Sequence, residues 1–344
     1  MIASRGWTAP QLADRLERPV DEFLSVIAGH DPIDDDLADD LGRELGRSGA
    51  FWRQRQTDFE ADLDRVSTAG DIENVTEWLD LLPLHTMFDR QRAAESYDDL
   101  YRSCLVYFDV SSPDEWCSRY TVDGSMLKAS DTFESKPGAL AIWLRAVETR
   151  AALRSCRPWS ADGLHAAVPT LRKLSKIPQA TLYISKAQTI LAECGVALEV
   201  VRSPEGCTAS GSAQFVSTDR AAIGMSLRHG TNDHFWFTLF HEIGHLLLHE
   251  PNTAWIDDKL DGDDPREEEA NEFAVSVLVP SRFRADLDGV RTTHRDVMRL
   301  ARQIGIHPGI LVGQLQYSGI VPFSHLNNLK RPAKWSNNSF EEIA

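Results

Sequence analysis

Two histidines and a glutamate lie close together in the stretch His241-Glu242-Ile243-Gly244-His245. Residues four apart lie on one face of a helix, so the two imidazoles can bind the same metal ion. The glutamate between them can hold a water molecule and accept its proton. The spacing therefore predicts a zinc hydrolase site in which His241 and His245 bind the metal and Glu242 is the catalytic base. A pair of hydrogen-bonded core histidines is the competing interpretation.

The sequence on both sides of this motif is mostly apolar, over residues 235–240 before it and 246–248 after it. A helix that is apolar all round is largely buried. Buried histidines and carboxylates are costly unless something satisfies them. A zinc ion would satisfy both histidines, which favours the metal site over paired core histidines.

His249 continues the row of histidines, one turn after His245. The helical rise places it about 12 Å along the axis from His241, too far for one zinc ion with bonds of about 2 Å to join both. We therefore expect His249 to lie outside the ligand set and to support a ligand histidine. The longer metzincin pattern is absent, because Leu248 and Pro251 occupy its glycine and third histidine positions.

A third ligand must come from elsewhere, and a helical segment that ends at Pro280 offers one. Ala270 and Ala274 are small and one turn apart, so a neighbouring helix can approach closely there. Glu267 lies one turn before Asn271 on the same side. We expect Glu267 to bind the metal and Asn271 to steady a ligand from the next turn.

The run Glu267-Glu268-Glu269 is also what a solvated helix start contains, because the helix dipole favours acidic residues there. Glu268 is the alternative third ligand, although its spacing to the small-residue face is less favourable than that of Glu267. Glu269 is two residues on from Glu267, so we expect its side chain to point away from the metal.

These motifs resemble the ImmA/IrrE family of zinc metallopeptidases over about residues 165–330. The resemblance implies a small gluzincin-like α+β domain, one catalytic zinc ion, and substrates that are often transcriptional repressors. The stretches that carry it are His241-Glu242-x-x-His245 with His249, Glu267-x-x-Ala270-Asn271-x-Phe273-Ala274, and residues 226–228, 235–240 and 305–315.

Three protein ligands leave zinc an open position for water. Glu242 would take the proton of this water and later deliver it to the leaving amine. Residues 221–227 predict a strand just before the site, whose edge could hold an extended peptide. His229, His234 and Tyr317 are candidates for stabilising the oxyanion, each with a structural or surface role as the simpler interpretation.

Residues 1–65 predict short helices that resemble an XRE/HigA-like helix-turn-helix module. Residues 9–46 carry eleven acidic side chains and only three basic ones. The presumed recognition helix contains Asp21 and Glu22 and no Lys or Arg. Because phosphate neutralisation provides much of the affinity for DNA, we expect this module to serve protein interaction or homodimerisation rather than DNA binding.

Residues 66–165 predict a helical spacer whose tryptophans belong to a core. The peptidase domain follows over 166–330 and a tail over 331–344, with Lys330, Arg331 and Lys334 at a solvated basic end. The predicted fold class is mainly α with a small β-sheet (α+β).

The 344 residues carry a formal net charge of −16, which argues against a general binder of nucleic acids or anionic membranes. Five scattered cysteines form no C-x-x-C pair, as is typical of a reduced compartment. The sequence shows neither a signal-peptide start nor an apolar run of the ~20 residues that span a bilayer. We therefore expect a cytoplasmic protein.

Together these features predict a zinc endopeptidase that cleaves a regulatory protein, such as a repressor or an antitoxin. The setting would be stress, phage or toxin–antitoxin control. The alternative is a non-catalytic, antitoxin-like regulator that acts by binding protein or DNA. The motif residues favour the enzyme, and the acidic N-terminal module weakens the DNA-binding form of the alternative.

Overall fold

The computed structural model describes most of the chain, namely residues 7, 9–27, 29, 31–67, 72–87, 96–120, 135–249, 255–256, 265–336 and 339–342. It is mainly helical with a small mixed sheet, which confirms the predicted α+β class. Two compact units are present, Met1–Ser155 with Pro204–Cys207, and Cys156–Ser203 with Thr208–Ala344. The predicted division into module, spacer, peptidase domain and tail stays a prediction.

The regular secondary structure described in the first unit consists of helices joined by turns and loops. Asp34 caps α3 by accepting a hydrogen bond from the Leu37 N–H at 2.7 Å, and Gly46 ends that helix in the left-handed conformation. The helices are α1 (Ala9–Arg15), α2 (Val20–Ile27), α3 (Asp35–Leu45), α4 (Gly49–Ser67), α5 (Ile72–Leu81), α6 (Leu84–Met87), α7 (Tyr97–Phe108), α8 (Pro113–Tyr120) and α9 (Pro137–Leu153).

Buried apolar side chains from several helices stabilise the described part of this unit. Leu12, Phe23 and Leu37 are buried where α1, α2 and α3 meet. Trp78, Trp116 and Trp143 are buried, as the sequence indicates. Trp159, the fourth tryptophan of the predicted spacer, is only partly buried and belongs to the second unit, where it packs against that unit's core. The assignment of the first helices to a helix-turn-helix class stays a prediction.

The second unit contains the motif. Its elements are α10 (Ala161–Leu174), α11 (Ala180–Ala192), β1 (Val196–Val200), β2 (Gly211–Ser217), β3 (Arg220–Met225), α12 (Asn232–Leu248), β4 (Trp255–Ile256), α13 (Pro265–Leu278), α14 (Arg284–Asp288), α15 (His294–Ile304), α16 (Pro308–Tyr317), β5 (Ala333–Ser336) and β6 (Ser339–Glu342).

The main sheet has the strand order β1-β3-β2-β4. β1 runs parallel to β3, whereas β2 runs antiparallel to both β3 and β4. The expectation that residues 221–227 present a sheet edge is therefore wrong. Residues 221–225 are all buried, and a strand that is apolar on both faces belongs inside a sheet. On the other side of β2, the short strand β4 pairs with Ser212 and Ala213 and is the last strand of the sheet.

The motif helix α12 lies at the centre of this unit and packs on β2, β3, α13 and α16. Trp236, Phe240 and Ile243 fix it in the core and are completely buried. Because the helix is surrounded, the polar side chains of the motif lie in the interior. Among the described helices, none combines the length and apolarity that a membrane span needs.

The basic end of the chain is built into this unit. The Asn232 N–H donates to the Arg331 carbonyl at 3.0 Å, and the Ala333 N–H donates to Gly230 at 2.7 Å. Lys330 Nζ lies 2.6 Å from Asp233 Oδ2, and both side chains are largely buried. The expectation of a solvated end is therefore wrong for Lys330, because it neutralises a buried carboxylate in the first turn of α12.

Candidate metal centre

His241 and His245 lie one turn apart on α12, with only 2% and 1% of their side chains exposed. Their Nε2 atoms are 2.9 Å apart. The helix holds both rings on one face, as the four-residue spacing predicts. Two buried imidazoles therefore direct nitrogen atoms at the same small volume.

Glu267 reaches this volume from α13. Its Oε2 lies 3.2 Å from Nε2 of His241, and its Oε1 lies 3.3 Å from Nε2 of His245. The ligand atoms of the three residues all lie within 4.8 Å of one another, the one such cluster found among the described residues. Glu268 is exposed and lies outside this cluster. Two imidazoles and a carboxylate form a donor set that fits zinc.

The two helices that carry these side chains approach each other closely at Gly244. A Cβ atom on Gly244 would lie 3.2 Å from Cα of Ala270 and 3.3 Å from Cδ1 of Phe273. Ala270 and Ala274 are buried at this contact, as the small-residue spacing indicates. Gly244 is the complementary half of the same sequence signal, because a small residue facing Ala270 permits this close approach.

Asn271 and His249 each contact one of the two motif histidines. Asn271 Oδ1 lies 3.0 Å from Nδ1 of His241, and His249 Nδ1 lies 3.0 Å from Nδ1 of His245. Both positions agree with a supporting role outside the ligand set. That role, like the ligand assignment, stays a prediction.

Glu269 lies outside the cluster of candidate ligands and contacts His249 instead. Its Oε2 is 3.2 Å from Nε2 of His249. His249 follows the last residue of α12 in an extended conformation, with φ −117 and ψ 165. Its ring therefore leaves the helical row and turns toward α13. Helical spacing alone does not describe a side chain beyond the end of its helix.

Glu242 is completely buried, and its carboxylate lies against the first residue of β2. A Cβ atom on Gly211 would overlap Oε1 of Glu242 and would lie 2.6 Å from Cγ2 of Thr238. The strand can come this close to the carboxylate because Gly211 has no side chain. No local sequence pattern relates Gly211 to the motif, so its role becomes visible only in the folded structure.

The electrostatics of the cluster favour the forms that bind metal. Burial acts to raise the pKa of Glu267, but hydrogen bonds with His241 and His245 outweigh it and bring this pKa to about 2. Burial lowers the pKa of His245, against the opposing effect of Glu267. A carboxylate and a neutral imidazole are the protonation states that metal coordination requires.

The three oxyanion candidates lie in two places. His229 and His234 stack with ring centroids 4.3 Å apart and line an open cleft that also includes Thr238. Burial, followed by the charge effect of His234, lowers the pKa of His229 to about 4. Tyr317 is exposed and lies 5.8 Å from the ring of Phe237. All three stay candidates.

Comparison with known proteins supports a peptidase assignment for this unit. Residues 226–312 match a peptidase family model described as the IrrE N-terminal-like domain. The matched stretch includes both helices of the site, and therefore Glu242 and the His241, His245 and Glu267 cluster. No curated protein and no solved structure gives a significant match to the chain. The family match supports a metallopeptidase-like hydrolase domain.

Proposed function

We propose that this protein is a zinc-dependent endopeptidase that cleaves a regulatory protein, such as a transcriptional repressor or an antitoxin. One observation carries the proposal. His241, His245 and Glu267 converge in the interior, and the carboxylate of Glu242 is buried on the same helix. Burying three converging polar side chains and a further carboxylate is costly unless something such as a metal ion satisfies them.

His241, His245 and Glu267 would hold the zinc ion, with Asn271 and His249 orienting the two imidazoles. Zinc bound there would act as a Lewis acid toward the scissile carbonyl and would lower the pKa of water. Three protein ligands leave one position of a tetrahedral ion open. Such an open position would suit a hydrolytic site rather than a closed structural one.

Glu242 supplies the proton chemistry of the proposed reaction. Its carboxylate takes a proton from the attacking water and passes it to the nitrogen of the leaving amine. Burial keeps this carboxylate in a fixed position between α12 and the start of β2. Such fixation is what a base needs when the proton must travel between two defined atoms.

The substrate class rests on the family match and on the resemblance to ImmA/IrrE peptidases. We propose a cytoplasmic setting in stress, phage or toxin–antitoxin control. The acidic N-terminal module would bind proteins or pair with a second copy of this chain. Its excess of carboxylates disfavours binding to DNA.

The first prediction tests Glu242. Zinc-loaded wild type is incubated with the product of the neighbouring gene and with a proteome-derived peptide library, and new N-termini are identified by mass spectrometry. We expect internal cleavage by wild type and a loss of at least about a hundredfold in Glu242→Gln, the scale of a general base. Zinc content, measured by elemental analysis, should remain that of wild type.

Two further variants control this experiment. Glu272→Gln changes an exposed glutamate of α13 and should cleave like wild type. His245→Ala should lose bound zinc. Cleavage by Glu242→Gln at the wild-type rate would disprove the role of Glu242. A wild type that binds zinc and cleaves neither substrate would favour the non-catalytic regulator.

A further inference from the structure

Glu269, His249 and His245 form a continuous row of hydrogen-bonding groups at the end of α12. Oε2 of Glu269 lies 3.2 Å from Nε2 of His249, and Nδ1 of His249 lies 3.0 Å from Nδ1 of His245. The row ends at Nε2 of His245, which faces Glu267. It therefore connects a surface carboxylate to the candidate ligand atom through two imidazoles.

The hydrogen bond between the two rings has only two possible directions, because one of the facing Nδ1 atoms must carry the proton. If His249 donates, a neutral His245 keeps its own proton on Nε2 and has no lone pair for a metal. If His245 donates from Nδ1, its Nε2 lone pair is free. Only the second direction is compatible with His245 as a ligand.

The carboxylate of Glu269 selects this second direction. A carboxylate only accepts hydrogen bonds, so the facing Nε2 of His249 must carry a proton. A neutral His249 then has an unprotonated Nδ1, which accepts the proton of His245. Each group thus fixes the tautomer of the next one.

We propose that Glu269 and His249 form a positioning pair that holds His245 in the tautomer and orientation needed to bind zinc. The inference rests on the proposed metal site. It assigns Glu269 a role although this residue lies outside the cluster of candidate ligands. Outer hydrogen-bond partners of this kind fix ring orientation at metal sites and raise the basicity of the ligand.

The two ligand histidines are held by different devices on the same helix. The amide oxygen of Asn271 lies at Nδ1 of His241, whereas His249 lies at Nδ1 of His245. Helix α13 thus provides a ligand at 267, the end of the histidine row at 269 and the amide at 271. A shift of α13 would disturb all three contacts together.

The test measures zinc affinity by competition with a chromophoric chelator. The full chain is compared as wild type, Glu269→Ala, Glu269→Gln and Glu268→Ala. We expect Glu269→Ala to bind zinc about tenfold more weakly, at the lower end of the range for such partners, since Glu269 is 60% exposed. Glu269→Gln keeps an acceptor oxygen and should recover most of the affinity. Glu268→Ala removes a neighbouring exposed carboxylate and should bind zinc like wild type.

A double-variant cycle tests whether Glu269 acts through His249. In the His249→Ala background, Glu269→Ala should cause no further loss of zinc affinity, because the connecting ring is absent. The thermal midpoint of each metal-free variant shows whether folding has changed. Independent, additive losses of zinc affinity would show that Glu269 does not act through His249, and would overturn the proposed positioning pair.

Two results separate this inference from the proposed function. Unchanged zinc affinity in Glu269→Ala, with a wild type that binds zinc tightly, overturns the positioning pair alone. A wild type that binds no zinc overturns both. No measurement of peptide cleavage enters either conclusion, so an unidentified substrate does not affect the test.

Discussion

The position of the Glu242 carboxylate depends on a glycine in a different element of the fold. Its carboxylate occupies the space where Gly211 would carry a Cβ atom. Gly211 begins β2, and Glu242 lies in the middle of α12. The position of the proposed base is therefore set jointly by a strand and a helix.

The second prediction concerns Gly211→Ala. The added methyl group overlaps the Glu242 carboxylate and crowds Thr238. Overpacking of this kind costs about 1–3 kcal/mol of stability. Displacing a catalytic group by about 1 Å can cost about a hundredfold in rate. We expect a large loss of cleavage with zinc content preserved, measured by peptide cleavage and elemental analysis.

Gly289→Ala is the matched control, because its added Cβ would meet only the Ala285 carbonyl oxygen, at 3.7 Å. It should be as active and at least as stable as wild type. If Gly211→Ala also kept full activity, the carboxylate of Glu242 would not need the position that the structure gives it.

At the scale of elements, the site is a contact between two helices. α12 provides two histidines, α13 provides Glu267, and the distance between the helices is set where Gly244 meets Ala270. A metal bound by both helices would also link them. Metal binding and the packing of α12 against α13 therefore depend on the same contact between the two helices.

The third prediction is that Gly244→Val separates the two helices. Its side chain would enter the space of Ala270 and Phe273, which lie 3.2–3.3 Å from the first added carbon. Moving Glu267 away should weaken zinc binding more than about tenfold. Leu248→Val places the same β-branched side chain at the exposed C-terminal end of α12 and should bind zinc normally. Equal zinc affinity in both variants would refute this account.

The fourth prediction concerns Arg172, which joins the ends of α13 and α15. Its guanidinium donates to the carbonyls of Val277 at 2.7 Å, Leu278 at 3.2 Å and Ile304 at 2.7 Å. A cation at helix C-termini is favourable, and hydrogen bonds to charged groups contribute about 1.5–3 kcal/mol. Arg172→Met should lower the free energy of unfolding by about 2–4 kcal/mol. Denaturant titration measures this, with the exposed Lys173→Met as the control that should stay near wild type.

At the scale of the whole molecule, the sequence predicts local relations better than distant ones. The two histidines share a face because of the helical period, and Ala270 and Ala274 indicate the close approach of a second helix. Three features of the structure could not be predicted from such local patterns. Gly211 meets Glu242 across different elements, Lys330 pairs with Asp233 from a distant segment, and the ring of His249 leaves its helix. Each depends on tertiary packing, which a periodic pattern does not encode.

The fifth prediction is a dependence of stability on pH. Burial, with a smaller effect of Arg331, lowers the pKa of His307 from 6.5 to about 4. Between these values the unfolded chain takes up a proton that the folded chain does not. The free energy of unfolding should therefore fall as the pH is lowered from 6.5 toward 4. Burial lowers the pKa of His229 to about 4 as well, so both histidines act in the same direction.

His307→Asn should make the free energy of unfolding fall less as the pH is lowered. Nδ1 of His307 accepts the Gly309 N–H at 3.1 Å at the start of α16, and an asparagine oxygen can accept the same bond without titrating. The difference in unfolding free energy between variant and wild type should be constant above pH 7 and move in favour of the variant at lower pH. A difference that does not change with pH would exclude His307 as a source of the pH dependence of stability.

The pairing of Lys330 with Asp233 has a consequence for the order of biosynthesis. Helix α12 leaves the ribosome well before Lys330 exists, and chains grow at roughly 5–20 residues per second. During those seconds the first turn of α12 contains an acidic side chain whose cationic partner has not been made. The nascent chain can thus contain the motif helix before it contains the lysine that pairs with Asp233 in the first turn of that helix. A chain that stalls before Lys330 lacks the partner of the buried Asp233 carboxylate, so we expect its second unit to be less stable than that of the full chain.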